Sequence, residues 1–400
     1  MWICRHLEPR LRQLVATRPV VVLTGARQTG KTALCRHLFP DHHYVSLDLP
    51  SEAAQAEGDP EAFLARHPEP LIIDEVQYAP ALFRHLKLRV DQERERCGRF
   101  LLTGSQPFVL MRDVADSLAG RAAILSLEGL SLREIRAVAP DAAIETMLLR
   151  GGFPELWANP RIEAAEFHAS YVATYLERDL RSLLQVSNLH DFERFLRACA
   201  LRSAQLLNRA ELARDVGISG STAAIWLSLL VRSGLVWLLE PWFANGTRRL
   251  TKSPKLFVAD TGLLAWLVGL ASPEDLLRSP LCGALWETAA LSELRRDLAL
   301  RPVAAQLAFW RDRSREVDVL LERGGRFWLA DCKWTASPGS GETRRLRQLA
   351  AELPEGSVQD RAVICRAAHP HPLGDGVQAL PPWELAEAWG LEQGRELEQA

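Results

Sequence analysis

PVVVLTGARQTGKTALCRHLF, residues 19–39, is the stretch on which the fold turns: an apolar run, a glycine-bounded loop and a helical segment follow one another without a break. Residues 25–32, GARQTGKT, match G-x-x-x-x-G-K-[ST] directly after VVVLT and before TALCRHLF, which is the strand-to-helix context the pattern requires. Gly25 and Gly30 let the amides of Ala26, Arg27, Gln28 and Thr29 turn toward phosphate oxygens, and the helix N-terminus adds its dipole. Lys31 reaches the β- and γ-phosphates, and Thr32 offers a hydroxyl to Mg²⁺. Lysine is also scarce: Lys31, Lys87, Lys252, Lys255 and Lys333 stand alone in a chain dominated by arginine. An ammonium and a guanidinium are not interchangeable at phosphate or metal sites, so a rare lysine inside a motif is informative.

Working outward, PLIIDEVQ (70–77) is an apolar strand ending in two carboxylates. Asp74 is expected to hold Mg²⁺ through water, and Glu75 to orient or deprotonate the water that attacks the γ-phosphate. RFLLTGS (99–105) ends in Thr103 and Ser105, where a polar side chain can sense that phosphate. Arg121, in SLAGRAA, is a candidate for stabilising transferred charge, with an ordinary surface arginine as the alternative.

The apolar runs PVVVLTG, HYVSLDL, PLIID, RFLLTGS and AAILSL, separated by helical stretches, predict an α/β domain with a mostly parallel sheet over residues 1–130. Helical spacing then takes over, as a helical lid at 131–204 and a winged helix-turn-helix at 205–254. From 255 to 400 strands and helices alternate as an α+β region. The second helix of the winged module offers mainly Ser, Thr and Trp to a base edge, so a protein-interaction role stands beside DNA binding. Arg248, Arg249 and Lys252 form the local cationic cluster of its wing.

A chain of 400 residues exceeds what one core usually serves. With 48% apolar and 24% charged residues it lies outside the disordered and low-complexity classes. Its 48 basic against 50 acidic residues supply no global field for nucleic acid, so any such partner must meet a local patch. Apolar runs such as GLLAWLVGLA stop short of the roughly 20 residues a bilayer needs. Seven scattered cysteines without a CxxC pair, and a charged N-terminus, fit a cytoplasmic protein with reduced thiols.

REVDVLLERGGRFWLADCK (315–333) reads as a hairpin about Gly324-Gly325. If Arg323 pairs with Arg326, Asp318 faces Asp331 and Glu316 faces Lys333, with opposed Cβ atoms roughly 5 Å apart. Two facing aspartates require a cation. A bridging Mg²⁺ with Lys333 beside it satisfies that need, and a plain Glu316–Lys333 ion pair is the alternative. Glu287 shares an apolar helical face with Ala290, Leu291, Leu294 and Leu298 and also needs a partner.

Taken together, GARQTGKT, VSLD, LIIDEVQ, LLTGS, SLAGR, GGFPE (151–155), YLERDL (175–180), SPKLFVADTGLL and FWRDRSREVD resemble the AAA-type P-loop ATPases. The branch resembled joins such a domain to a helical lid, a winged helix and a C-terminal domain of unknown function. The resemblance implies that Gly152 and Pro154 approach the adenine and that Arg178 is a γ-phosphate or inter-subunit arginine. No N-K-x-D guanine-reading motif is present, which favours ATP. The C-terminal order of helix carboxylate, Asp, then Asp-x-Lys resembles restriction-endonuclease-like PD-(D/E)xK domains. That resemblance matches Glu287, Asp318 and Asp331 to metal ligands and Lys333 to the catalytic lysine. Two functions follow as expectations: a Mg²⁺-dependent ATPase coupled to a nuclease-like domain acting on DNA, or a nucleotide-gated switch whose C-terminal domain only binds a protein or DNA. Self-association is open in both.

Overall fold

The computed structural model describes residues 1–105, 117–175, 189–243, 253–301, 304–312 and 315–391. Two compact units are formed, one by Met1–Leu130 with Phe153–Glu155 and Arg232–Gly234, the other by the remaining segments.

The first unit is built on strands β1 (Val20–Thr24), β2 (His43–Ser46), β3 (Leu71–Asp74), β4 (Phe100–Gly104) and β5 (Ala122–Ser126). They lie in the order β2-β3-β4-β1-β5, and every neighbouring pair is parallel. Parallel strands are covered on both faces, which is why β1, β3 and β4 read as unbroken apolar runs and are buried throughout. Val22, Ile73 and Leu102 from these strands pack with Phe63, Phe83 and Leu86 from the flanking helices. Because β4 lies between β1 and β3, the residues after all three strands emerge on one edge of the sheet. Gly25, Glu75 and Ser105 therefore face a common mouth, the usual ligand position in an open parallel sheet.

The second unit begins at Ser131, which caps the helix Leu132–Val138 in a capping box with Glu134. A buried carboxylate from the long helix Cys282–Ala299 completes that cap: Glu293 accepts from the amides of Leu132 at 2.7 Å and Arg133 at 3.2 Å. Burial, with Asp297 nearby, pushes the Glu293 carboxyl up to about 7 despite Arg296 and these two amides. The folded chain thus holds a proton that the unfolded chain, near 4.5, has released, so this group subtracts stability as pH rises from about 4.5 to 7. Glu293→Gln is expected to remove that slope, worth about 3 kcal/mol across the window. Melting temperatures at pH 5, 6, 7 and 8 check it, and parallel curves for variant and parent would refute it.

Asn208 caps the helix Arg209–Val216 by accepting from the amides of Ala210 and Glu211, and Gly217, at φ 81°, ends it. A second helix, Gly220–Arg232, follows, with Ile225 53% exposed on its outer face. Strands β6 (Gln205–Leu206), β7 (Val236–Leu239) and β8 (Lys255–Val258) then form an antiparallel sheet in the order β6-β8-β7. The run around FVAD, which the sequence groups with the C-terminal region, is thus the central strand of this small sheet. Arg248, Arg249 and Lys252 lie outside the described residues.

A six-stranded sheet, ordered β13-β14-β12-β11-β10-β9, completes the unit. Its strands are β9 (Gln306–Arg311), β10 (Glu316–Arg323), β11 (Arg326–Cys332), β12 (Val358–Ile364), β13 (His371–Gly374) and β14 (Val377–Leu380). Gly324 and Gly325 both have positive φ, and Arg323 pairs with Arg326 as expected. The stretch HPHPLGDG (369–376) supplies β13 and a second tight turn at Asp375-Gly376, both at positive φ. The two sheets of this unit are stitched by a bridge between Pro241 and Phe309 and by the Trp242 amide donating to the Phe309 carbonyl at 2.7 Å.

Candidate active site

The phosphate loop holds a conformation few sequences permit. Gly25 has φ 142°, and a Cβ there would lie 2.1 Å from the Leu127 carbonyl oxygen. Gly30, at φ 91°, opens the helix Lys31–Leu38. Gln28 also takes a positive φ, and the Thr29 hydroxyl donates to the Ala26 carbonyl at 2.9 Å. Lys31 Nζ donates to the Gly25 and Ala26 carbonyls at 2.9 and 2.8 Å. Burial pushes its ammonium down to about 8, against the opposing pull of Glu75 and Asp74. A buried cation held by two neutral carbonyls is an incomplete pairing that phosphate oxygens would complete.

Asp74 gathers the polar groups of the mouth. Its Oδ1 accepts from the Thr32 hydroxyl at 2.8 Å and from the Thr103 hydroxyl, and its Oδ2 from Tyr44 at 3.2 Å. A carboxylate beside the loop threonine fits a Mg²⁺ ion that takes one hydroxyl, phosphate oxygens and water rather than an all-protein cage. Glu75 follows in a left-handed conformation, φ 54° and ψ 46°, uncommon for a residue with a Cβ and costing of order 1–3 kcal/mol. Its Oε2 accepts from the Ser105 hydroxyl at 2.9 Å, the Ser105 amide at 3.2 Å and the Gln77 side-chain amide. Burial opposes its ionisation, but the Gln77 and Ser105 bonds and Lys31 outweigh that and hold the carboxyl below its usual range. Ser105 is thereby placed to aim Glu75.

Of the other expected residues, Arg121 is placed away from the loop. Arg121 precedes β5, whose first residue pairs with Val20 at the far end of β1, so roughly 13 Å of strand separates it from the loop. Its guanidinium is engaged by both oxygens of Asp91 at 2.6 and 2.9 Å. Arg178 lies outside the described residues. The Gly152 amide donates to Asp260 at 2.6 Å, and a Cβ on Gly151 would lie 2.3 Å from that carboxylate, so this glycine pair packs on Asp260. Pro154 begins the short helix Pro154–Ala158, where its missing N–H costs nothing.

Sequence reasoning missed Arg5, which donates to the Thr29 carbonyl at 3.0 Å and to the Glu128 and Gly129 carbonyls at 2.7 and 3.3 Å, bracing the loop from behind. No motif marks it; the surrounding Ile3 and Leu7, both buried, are the weak signal that this segment is core. Tyr44 and Gln77 were likewise unmarked.

The C-terminal carboxylates converge, but on a side chain. Lys255 Nζ lies 2.7 Å from Glu287, 2.6 Å from Glu316 and 3.3 Å from Asp318. Asp331, 1% exposed, receives the Asp318 amide at 3.4 Å and lies 3.4 Å from Arg345. Lys333 is 4.0 Å from Asp318 and donates to the Cys332 carbonyl. Glu316, expected opposite Lys333, pairs with Lys255 and with Arg311 at 3.1 Å. Burial and then Asp318 push Glu287 up to about 8 and Asp331 up to about 7. For Lys255, burial is overcome by Glu287, Asp318 and Glu316, which hold it protonated. Among the described residues no group of three or more His, Cys, Asp or Glu side chains is arranged to hold a metal ion. The point on which Glu287, Glu316 and Asp318 converge, beside which a Mg²⁺ was expected at Glu287, Asp318 and Asp331, is occupied by an ammonium. Nor is any described helix long and apolar enough to cross a membrane.

Residues 17–136 match the AAA domain family, residues 141–274 a domain of unknown function (DUF8612), and residues 282–385 another (DUF4143). Among solved structures, the chain is similar to a Walker-type ATPase of Pyrococcus abyssi, at 17% identity and TM-score 0.47 over 66% of this chain and 96% of that one. It is also similar to a signal-transduction ATPase with a tetratricopeptide-repeat sensor from Pyrococcus horikoshii, at 14% identity and TM-score 0.26 over 74% and 48% of the two chains. An uncharacterized protein of Mycobacterium tuberculosis is 34% identical over 393 residues, spanning 97% of this chain and 86% of that protein, and one of Mycobacterium bovis matches equally. With a phosphate loop and paired acidic strand end built as an AAA-type ATPase domain requires, and identity sustained across nearly the whole length, the chain belongs to the family of these mycobacterial proteins.

Proposed function

We propose that the protein is a Mg²⁺-dependent ATP hydrolase acting as a nucleotide-controlled switch, with the second unit offering binding surfaces to a protein or DNA partner. The observation that carries this reading is the polar chain from Thr32 through Asp74 and Thr103 to Glu75 and Ser105 beside the buried Lys31. Loop amides and Lys31 bind the phosphates, and their placement supplies most of what phosphoryl transfer needs. Glu75, kept ionised and aimed by Ser105 and Gln77, orients the attacking water or takes its proton. Thr32 and Asp74 would hold a Mg²⁺ ion, which would offset charge on the phosphate oxygens. Pro154 near the adenine and Arg178 at the γ-phosphate or a subunit boundary belong to this proposal through the family resemblance. Lys31→Ala is expected to reduce ATP turnover to background with an unchanged melting temperature; turnover equal to the parent would reject the assignment.

A second reading makes the C-terminal hairpin a metal-dependent nuclease using Glu287, Asp318, Asp331 and Lys333. The facing aspartates favour it and the Lys255 contacts oppose it. Strand cleavage in Mn²⁺ that disappears in Asp318→Ala would support it.

A further inference from the structure

We propose that the Lys255 ammonium is the resident cation of the C-terminal carboxylate pocket, standing where a divalent ion would have to sit, so that this domain takes up no catalytic metal. Three observations carry the assignment. The first is position: the ammonium is within 2.7 Å of Glu287 and Glu316 and 3.3 Å of Asp318, so it occupies the point on which these carboxylates converge. A Mg²⁺ ion needs near-octahedral oxygen ligands at about 2.0–2.1 Å, and it would meet a like charge in contact with the same oxygens.

The second is permanence. Lys255 belongs to the central strand of its sheet, paired with Leu206 on one side and Leu239 on the other, and is 2% exposed. The residues that follow, Leu256, Phe257 and Val258, are fully buried. The two ladders fix the backbone from which the side chain extends, and burial together with three carboxylate contacts holds the ammonium at its end.

The third is charge. Every carboxylate of the pocket has a cationic partner: Glu287 has Lys255, Glu316 has Lys255 and Arg311, Asp318 has Lys255 and Lys333, and Asp331 has Arg345. Asp318 Oδ2 also accepts from the Cys332 amide at 3.0 Å and Asp331 Oδ1 from the Asp318 amide at 3.4 Å, whereas Asp331 Oδ2 has no hydrogen-bond donor among the described residues and meets only the Arg345 charge, 3.4 Å away. The repulsion between facing aspartates, which predicts a metal from sequence, is answered by the chain's own side chains.

The inference stands apart from the ATPase reading, because its test contains no nucleotide. Full-length protein is titrated with Mn²⁺ and the free ion followed by electron paramagnetic resonance. The parent and Asp318→Asn are expected to take up equal amounts. Lys255→Ala is expected to gain a stoichiometric ion, lost again in Lys255→Ala/Asp318→Asn. Should Lys255→Ala not fold, the parent and Asp318→Asn alone decide the matter. An Asp318-dependent Mn²⁺ ion in the parent, or a folded Lys255→Ala protein that takes up no more than the parent, would overturn the assignment.

Discussion

Glu75→Gln is expected to lower ATP turnover by about 10²- to 10⁴-fold while Mg²⁺-dependent retention of labelled ATP persists. The amide matches the carboxylate in size and still offers an oxygen to the Ser105 hydroxyl, which lies 2.9 Å away in the parent. It cannot take a proton, and it has lost the charge that Lys31 and the Gln77 amide favour. Binding rests on other groups, the loop amides and Lys31, so kcat should fall with little change in KM, the signature of an interaction made only in the transition state. Ser105→Ala removes one donor from the same oxygen and is expected to cost less, since the Ser105 amide and Gln77 continue to aim the side chain. If Glu75→Gln loses ATP binding in step with turnover, the residue supports the loop and is not the base.

The site was legible where its chemistry is local in sequence. Lys31, Thr32, Asp74 and Glu75 occur in two short motifs, and unbroken apolar runs before them announce buried parallel strands. The role of Ser105 was visible only in part. Its distance from the loop along the chain conceals that β4 is inserted between β1 and β3, and this insertion turns Ser105 toward Glu75. Arg121 shows the converse limit: proximity to an apolar run does not tell which end of a strand a residue occupies. In the C-terminal domain the hairpin register could be calculated, because two adjacent glycines fix it. The identity of the compensating cation could not. Lys255 is 63 residues from Asp318 and lies on a different sheet, and only tertiary packing brings them together. Asp375-Gly376 is likewise a readable turn signal, whereas the strand His371–Gly374 beside it depends on pairing with β14 and carries no local mark.

Lys255→Met should lower the stability of the second unit by about 3–5 kcal/mol, the usual cost of leaving buried charge without its partner. Methionine fills much of the lysine volume, so the loss reports charge and not a cavity. The carboxylates do not lose equally. Glu316 keeps Arg311 and Asp318 keeps the Cys332 amide and the more distant Lys333, whereas among the described residues Glu287 has no other cation within ion-pair distance. Burial and Asp318 hold Glu287 up to about 8 even with the ammonium present, so in the variant a proton becomes its substitute partner. The deficit should therefore shrink as pH falls from 9 to 6, following the sign set by a carboxyl whose folded value is raised above the unfolded one. Adding Glu287→Gln removes the stranded charge, and the double variant is expected to regain part of the loss, giving a non-additive cycle for side chains 2.7 Å apart. Thermal melts of the parent, both single variants and the double variant across that pH range measure the coupling. Strict additivity, or a Lys255→Met deficit that does not vary with pH, would mean that the ammonium only packs there and does not hold the carboxylates together.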